Sequence, residues 1–196
     1  MPTYTAAQLR TELRNRTNDS STNPYASDTQ VDGFFTSASA KVTGAIGYQA
    51  STTQTGTGVK TYTIPSAVNV DTLSSVGVRV IGDHDTYQKV GYYIYGGEIF
   101  LSVSVPATQE ILYRYERPMV AGDTISEMRF EAWVLAAVVN WCAFAMAHRA
   151  DFEQWAATNR SDARIAEVRQ LQSSIQSELE RLIADIKQST FVTNTQ

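Results

Sequence analysis

Ala132–Ala147 reads AWVLAAVVNWCAFAMA, sixteen residues with a single polar side chain, Asn140. A surface helix is apolar along one stripe, whereas a segment apolar nearly all round is buried on most sides. The run sits inside a longer helical stretch, from Thr124 to about Thr158. Thr124-Ile125-Ser126-Glu127 fits a capping box, in which the Thr hydroxyl and the Glu carboxylate each satisfy an orphan backbone donor. The apolar centre is shorter than the roughly 20 residues that span a bilayer, and Glu131 and His148-Arg149 close it at both ends. It predicts a buried helix without a membrane, and the rest of the chain must supply the surface that covers it.

Two further capping boxes lie upstream. Thr5-Ala6-Ala7-Gln8 opens a short helix to about Arg16, with Ala6, Leu9 and Leu13 on one face. Thr17–Ala26 is rich in turn residues and reads as a loop. Ser27-Asp28-Thr29-Gln30 then opens a helix to about Gly47 or Tyr48. Val31, Phe34, Phe35, Ala38, Val42, Ala45 and Ile46 give it a core-facing stripe. Downstream, Asp162–Gln188 carries Ile165, Val168, Gln172, Ile175, Leu179, Leu182 and Ile186 at steps of three and four. This heptad-like stripe suits packing on the central helix or an intermolecular coiled coil. Residues 189–196, ending in Phe191-Val192-Thr193-Asn194-Thr195-Gln196, read as a flexible polar tail.

Between the second helix and the central one the period changes. Gln49–Gly58 is polar and reads as a mobile loop. Val59–Ile64, Val76–Ile81, Val90–Tyr95, Glu98–Val105 and Glu110–Tyr115 are rich in β-formers and separated by turn residues. Gly96-Gly97, between Tyr95 and Glu98, suits a tight hairpin turn that needs positive φ. The fold class expected is α+β: mainly a helical bundle of about four helices with an inserted small antiparallel β-module. The helical part covers 5–48 and 124–188, and the β-module covers 59–117. The whole of 1–196 forms one domain.

The 196 residues include 16 basic and 20 acidic side chains, a formal charge of −4. Residues 1–120 carry −1 and residues 121–196 carry −3, so neither part is a basic groove for nucleic acid backbone. The single cysteine, Cys142, lies inside the apolar run and reads as a small buried hydrophobe. MPTYTAAQLRTELR lacks an apolar signal core, so an intracellular, soluble chain is expected.

No catalytic constellation is visible, no cofactor or metal site is expected, and the chain reads as a non-enzyme. Asp83-His84-Asp85 falls in a turn, where consecutive residues rarely converge on one ion. Gly56-Thr57-Gly58-Val59-Lys60-Thr61 resembles a phosphate loop but leads into a strand, so it lacks the helix N-terminus that such loops use. Tyr87, Tyr92, Tyr93, Tyr95, Tyr113 and Tyr115 concentrate in the β-region. They suit cross-strand packing or a protein interface, or alternatively a single-stranded nucleic-acid-binding module that stacks bases.

The layout resembles the head–tail adaptor (connector) proteins of tailed bacteriophages. The residues that carry the likeness are the helix Val31–Ile46, the segment VGYYIYGGEIFLSVSV followed by EILYRYERP, and TISEMRFEAWVLAAVVNWCAFAMAHRADFEQWAA. The last of these leads into an amphipathic helix with a polar tail. The resemblance implies a structural virion protein at the neck, made in the host cytoplasm. It would form a ring of about twelve copies between the portal protein and the tail or a further neck protein. DNA would pass through its channel without specific binding, which mild acidity favours. Phe191, Val192, Thr193, Asn194, Thr195 and Gln196 would dock on the portal. Tyr95, Gly96, Gly97 and Glu98 would touch a neighbour or the tail. Another neck, tail-completion or scaffolding protein would share these multivalent contacts.

Overall fold

The computed structural model describes residues 2–19, 22–83, 87–159 and 164–193. It divides into two compact units, one of Met1–Ile46 with Pro118–Gln196 and the other of Gly47–Arg117.

The first unit is helical. Its elements are α1 (Ala6–Thr17), α2 (Asp28–Ile46), α3 (Glu127–Ala147), α4 (Arg149–Thr158) and α5 (Ile165–Thr193). α3 is the spine. Residues 132–139 are all buried, as the apolar run predicts, because α1, α2, α4 and α5 each pack on this helix. By length and composition α3 could cross a membrane, but 61% of its most apolar window is buried inside the protein, as in a core helix.

The polar atoms on α3 are matched to particular acceptors. Trp133 Nε1 donates to the Phe35 carbonyl at 2.8 Å, and Asn140 Nδ2 donates to the Phe34 carbonyl at 3.1 Å. Satisfying these donors matters because an unpaired buried polar atom costs about 1–3 kcal/mol. The stripes read from the sequence face this spine. On α2, Val31, Phe35, Ala38 and Val42 are buried; on α5, Val168, Ile175, Leu179 and Ile186 are.

The first capping box is present in full: Thr5 Oγ1 accepts from Gln8 N, and Gln8 Oε1 accepts from Thr5 N. Ser27 and Gln30 make the same reciprocal pair. The third box is displaced. Ser126 caps α3, its Oγ accepting from Arg129 N at 3.4 Å, while Thr124 bridges to Thr3 instead. Two hydroxyl acceptors near the helix start compete, and the tertiary bridge removes Thr124 from the contest.

The helical stretch from 124 to 158 is also not continuous. His148 leaves helical geometry at φ −111°, ψ 46°, separating α3 from α4. The bend lets Phe152 pack edge-on against Trp141, ring centroids 5.9 Å apart. At the other end, α5 continues in helix through Thr193, past the expected stop at Gln188.

The second unit is a β-sandwich. Its strands are β1 (Gln49–Thr55), β2 (Thr61–Thr63), β3 (Leu73–Val80), β4 (Gln88–Lys89), β5 (Tyr92–Tyr95), β6 (Glu98–Leu101) and β7 (Gln109–Glu116). All pairings are antiparallel, in sheets of order β1-β7-β3-β4 and β2-β6-β5. Both sheets contribute to one apolar core, with Ile99, Leu101 and Tyr62 from one and Val76, Val78, Ile111, Tyr113 and Tyr115 from the other.

The expectation of about four helices with a small inserted β-module is therefore overturned, although the α+β class holds. Among the described residues there are five α-helices and seven strands in two sheets. Gln49–Thr55 shows why. It is polar apart from Ala50 and reads as a mobile loop, yet it pairs with β7 over its full length. Its threonines are β-branched and suit a strand. The hydroxyl of Thr52 pairs with Tyr115 Oη at 3.1 Å, and Gln54 Oε1 accepts from Tyr113 Oη at 2.7 Å. Hydrogen bonds to the core tyrosines thus replace the apolar alternation that marks most strands.

Gly56, just after β1, is held where only hydrogen fits. An added Cβ would overlap the backbone carbonyl oxygens of Val105 and Pro106, which are fixed by bonds from Gly58 N and Gln109 N. Gly56→Ala is expected to destabilise the β-unit by about 2–4 kcal/mol, read as a lower urea midpoint with an unchanged slope.

Candidate functional site

The hairpin tip predicted from Gly96-Gly97 is present. β5 and β6 pair in the register Tyr92↔Leu101, Tyr93↔Phe100, Ile94↔Ile99 and Tyr95↔Glu98. Both glycines turn at positive φ, 61° and 82°, as a two-residue turn between right-twisted strands requires. Alternation then sorts the side chains. Ile94 and Ile99 face the core, while Tyr93 and Tyr95 face outward, 62% and 78% exposed. Tyr93 stacks on Phe100 with centroids 4.7 Å apart and planes 2° apart. The β2·β6 register places Thr61 beside Phe100 and Thr63 beside Glu98 on the same face. The result is a fixed aromatic step beside the turn, held out by a buried row beneath it.

The other tyrosines of the β-region are occupied. Tyr113 and Tyr115 are core residues. Tyr92 Oη donates to the Leu73 carbonyl at 3.4 Å, and Arg114 lies 4.1 Å over the Tyr87 ring. Two rings, Tyr93 and Tyr95, are left as large exposed surface, which is too few for a continuous base-stacking platform.

The second sequence candidate lies in the helical unit. Phe191, Val192 and Thr193 continue the helical backbone of α5, while Asn194, Thr195 and Gln196 lie outside the described residues. Tyr95, Gly96, Gly97 and Glu98 are brought into one turn, and the tail candidates belong to the other unit.

Of Asp83-His84-Asp85, the last two lie outside the described residues, among which no group of three metal-ligating side chains occurs. The phosphate-loop lookalike is used structurally. Gly56 N donates to Gln109 O at 2.8 Å and Gly58 N to Val105 O at 2.7 Å, so these amides are not free to hold an anion. A mostly apolar depression of about 280 Å³ lies in the helical unit among Leu9, Asp32, Phe35, Met119 and Trp133. The sequence gives no sign of it, because its walls come from α1, α2, α3 and the segment before α3. The Asp32 carboxylate on its rim is already gripped by Arg10 at 2.6 and 2.8 Å.

Cys142 is fully buried, and burial pushes its thiol up to about 12. The thiolate is the reactive form, so alkylation of the native protein at pH 8 should be negligible over hours and rapid once denaturant is added. Fast labelling without denaturant would show that α3 is not packed as described.

The family profile described as SU10 adaptor protein matches residues 4–190, nearly the whole chain. The chain belongs to the SU10 adaptor protein family. No protein of curated function matches it. Membership bears out the resemblance to phage head–tail adaptors. The adaptor is thus a bacteriophage structural protein, a component of the virion that interacts with other head or tail proteins. An exposed aromatic step beside a tight turn is the kind of feature such a role can use, since tyrosine is enriched at protein interfaces.

Proposed function

We propose that this adaptor assembles as a ring of about twelve copies at the neck of a tailed phage, between the portal and the tail. The family match over residues 4–190 carries this reading. In it the ring extends the DNA channel and offers the tail its attachment surface. The role is mechanical and turns over no substrate. A net charge of −4 supports passage of DNA without retention, because like charge opposes phosphate binding.

Two contacts are assigned within this reading. Residues 191–196 dock on the portal. Tyr95, Gly96, Gly97 and Glu98 touch a neighbouring subunit or the tail, supported by the exposure of Tyr95 and the stacked pair behind it.

Electron microscopy of the purified adaptor mixed with its portal tests the assembly. Ring density at the portal's outer end is expected, and bare portals at saturating adaptor would sink the proposal. Deleting residues 191–196 should change the unfolding free energy by no more than surface changes do, about 0.5 kcal/mol. Portal binding should fall at least about tenfold, or 1.4 kcal/mol. Undiminished binding by the truncated chain would remove the tail from the interface.

A further inference from the structure

Four strand edges bound the two sheets of the sandwich, and three are short. β4 has two residues including Lys89, β2 has three, and β5 has four. Short edge strands and lysines are common means of keeping a sheet from pairing with other chains. β1 has neither. It is seven residues long, QASTTQT, without charge, proline or glycine, and its register with β7 is unbroken.

The register fixes which backbone groups it leaves over. Arg117 N donates to Tyr48 O at 3.3 Å and Gly56 N to Gln109 O at 2.8 Å, at the two ends of the β1·β7 ladder. In an antiparallel pair, hydrogen-bonded and non-hydrogen-bonded positions alternate. Ala50, Thr52 and Gln54 therefore bond to Tyr115, Tyr113 and Ile111. The N–H and C=O of Gln49, Ser51, Thr53 and Thr55 point away from β7. The far side of β7 agrees: Ile81 N donates to Thr108 O at 3.2 Å, so Glu110, Leu112 and Arg114 face β3. Among the described residues no backbone group pairs with the outer row of β1, and its four residues are exposed. Donors and acceptors repeat there about every 6.8 Å, along an edge of roughly 20 Å.

We propose that β1 receives an extended strand of another virion protein, which adds to the sheet beside it. Main-chain bonds supply the affinity in this mode, and a proline-free stretch of five to seven residues is the ligand chemistry it requires (about that length, from the edge available). The small uncharged side chains of Ser51, Thr53 and Thr55 neither repel nor block such a strand. Among the described residues the other edge strands are too short to fill it, and β1 of a second copy is the self-partner of matching length.

The inference rests on the adaptor being part of the assembled neck. Residue-resolved hydrogen exchange on the free protein and on intact virions tests it. In the free protein the amides of Ser51, Thr53 and Thr55 should exchange at least about 100-fold faster than those of Thr52 and Gln54. In virions the alternation should vanish, with both sets slow. Persistence of the alternation in virions overturns the proposal and leaves the neck assignment standing. Loss of the alternation in the free protein as its concentration rises makes a second copy the occupant and also overturns it. Absence of the chain from virions defeats the neck assignment and the strand addition together.

Thr53→Pro supplies an independent readout. It removes an outward N–H alone, which an edge strand tolerates, whereas Thr52→Pro removes a ladder bond and should unfold the unit. Thr53→Pro should fold as wild type and enter virions at least about tenfold less, from the lost backbone bonds and the bulk of the ring. Normal incorporation overturns the proposal.

Discussion

Val138→Asp is expected to yield no soluble folded protein. Val138 is fully buried at the middle of α3, inside the run of buried residues 132–139. Four other helices pack on α3, so no rotation of the spine brings position 138 to water. An unpaired carboxylate there either stays charged at a cost of several kcal/mol or takes up a proton and still lacks partners. Domains of this size are stable by about 5–15 kcal/mol in all, and local repacking would consume much of the rest. Ala143→Asp is the matched control, the same introduced residue five positions on at an exposed position of the same helix. It should express normally and melt within a few degrees of wild type. Soluble yield and circular dichroism read both. Well-folded Val138→Asp protein would mean that α3 is not the spine.

The second large effect is expected at Asp19→Ala. Asp19 is 1% exposed. Its carboxylate accepts from the backbone N–H groups of Tyr25 and Ala26 and from Trp141 Nε1, and it lies 3.4 Å from Arg14. One side chain thus ties the loop after α1 to both α1 and α3. Removal leaves two backbone donors and an indole N–H without acceptors, and leaves a largely buried guanidinium with less neutralisation. Losing one partner of a buried pair costs about 3–5 kcal/mol. For a chain of this length that is a fall of about 10 °C in Tm. Asp19→Asn keeps one acceptor oxygen and should lie between. Urea unfolding orders the three proteins, and equal midpoints for wild type and Asp19→Ala would show that the loop is held by its aromatic contacts alone. Those contacts are substantial: Tyr25 lies 5.1 Å from Phe152 and 5.6 Å from Trp155, centroid to centroid.

Asp19 also shows where sequence reading stops. In the sequence it is one of many turn-forming residues between Thr17 and Ala26, and nothing local separates it from Asn18 or Asn23. Its role depends on Trp141, which is 122 positions away. The candidate contact surface divides in the same way. Gly96-Gly97 between β-formers announced the turn, and alternation implied that one of each neighbouring pair would face out. That Tyr93 and Tyr95 stay exposed while Tyr113 and Tyr115 are buried follows from how the second sheet covers the first.

What the sequence by itself determined is whatever a single element can express: the buried spine from its all-round apolarity, two of the three helix caps, the stripes of α2 and α5, and the hairpin turn. These signals are local, because burial of one face writes a period of 3.6 or 2 into neighbouring residues. Tertiary structure alone decided the rest. β1 is a strand because β7, some sixty residues on, offers it a ladder. α3 ends at His148 because Phe152 must reach Trp141. Ser126 caps α3 because Thr124 bridges to Thr3. In each case the energy lies in a bond or contact between distant positions, and neither position carries a mark of its partner.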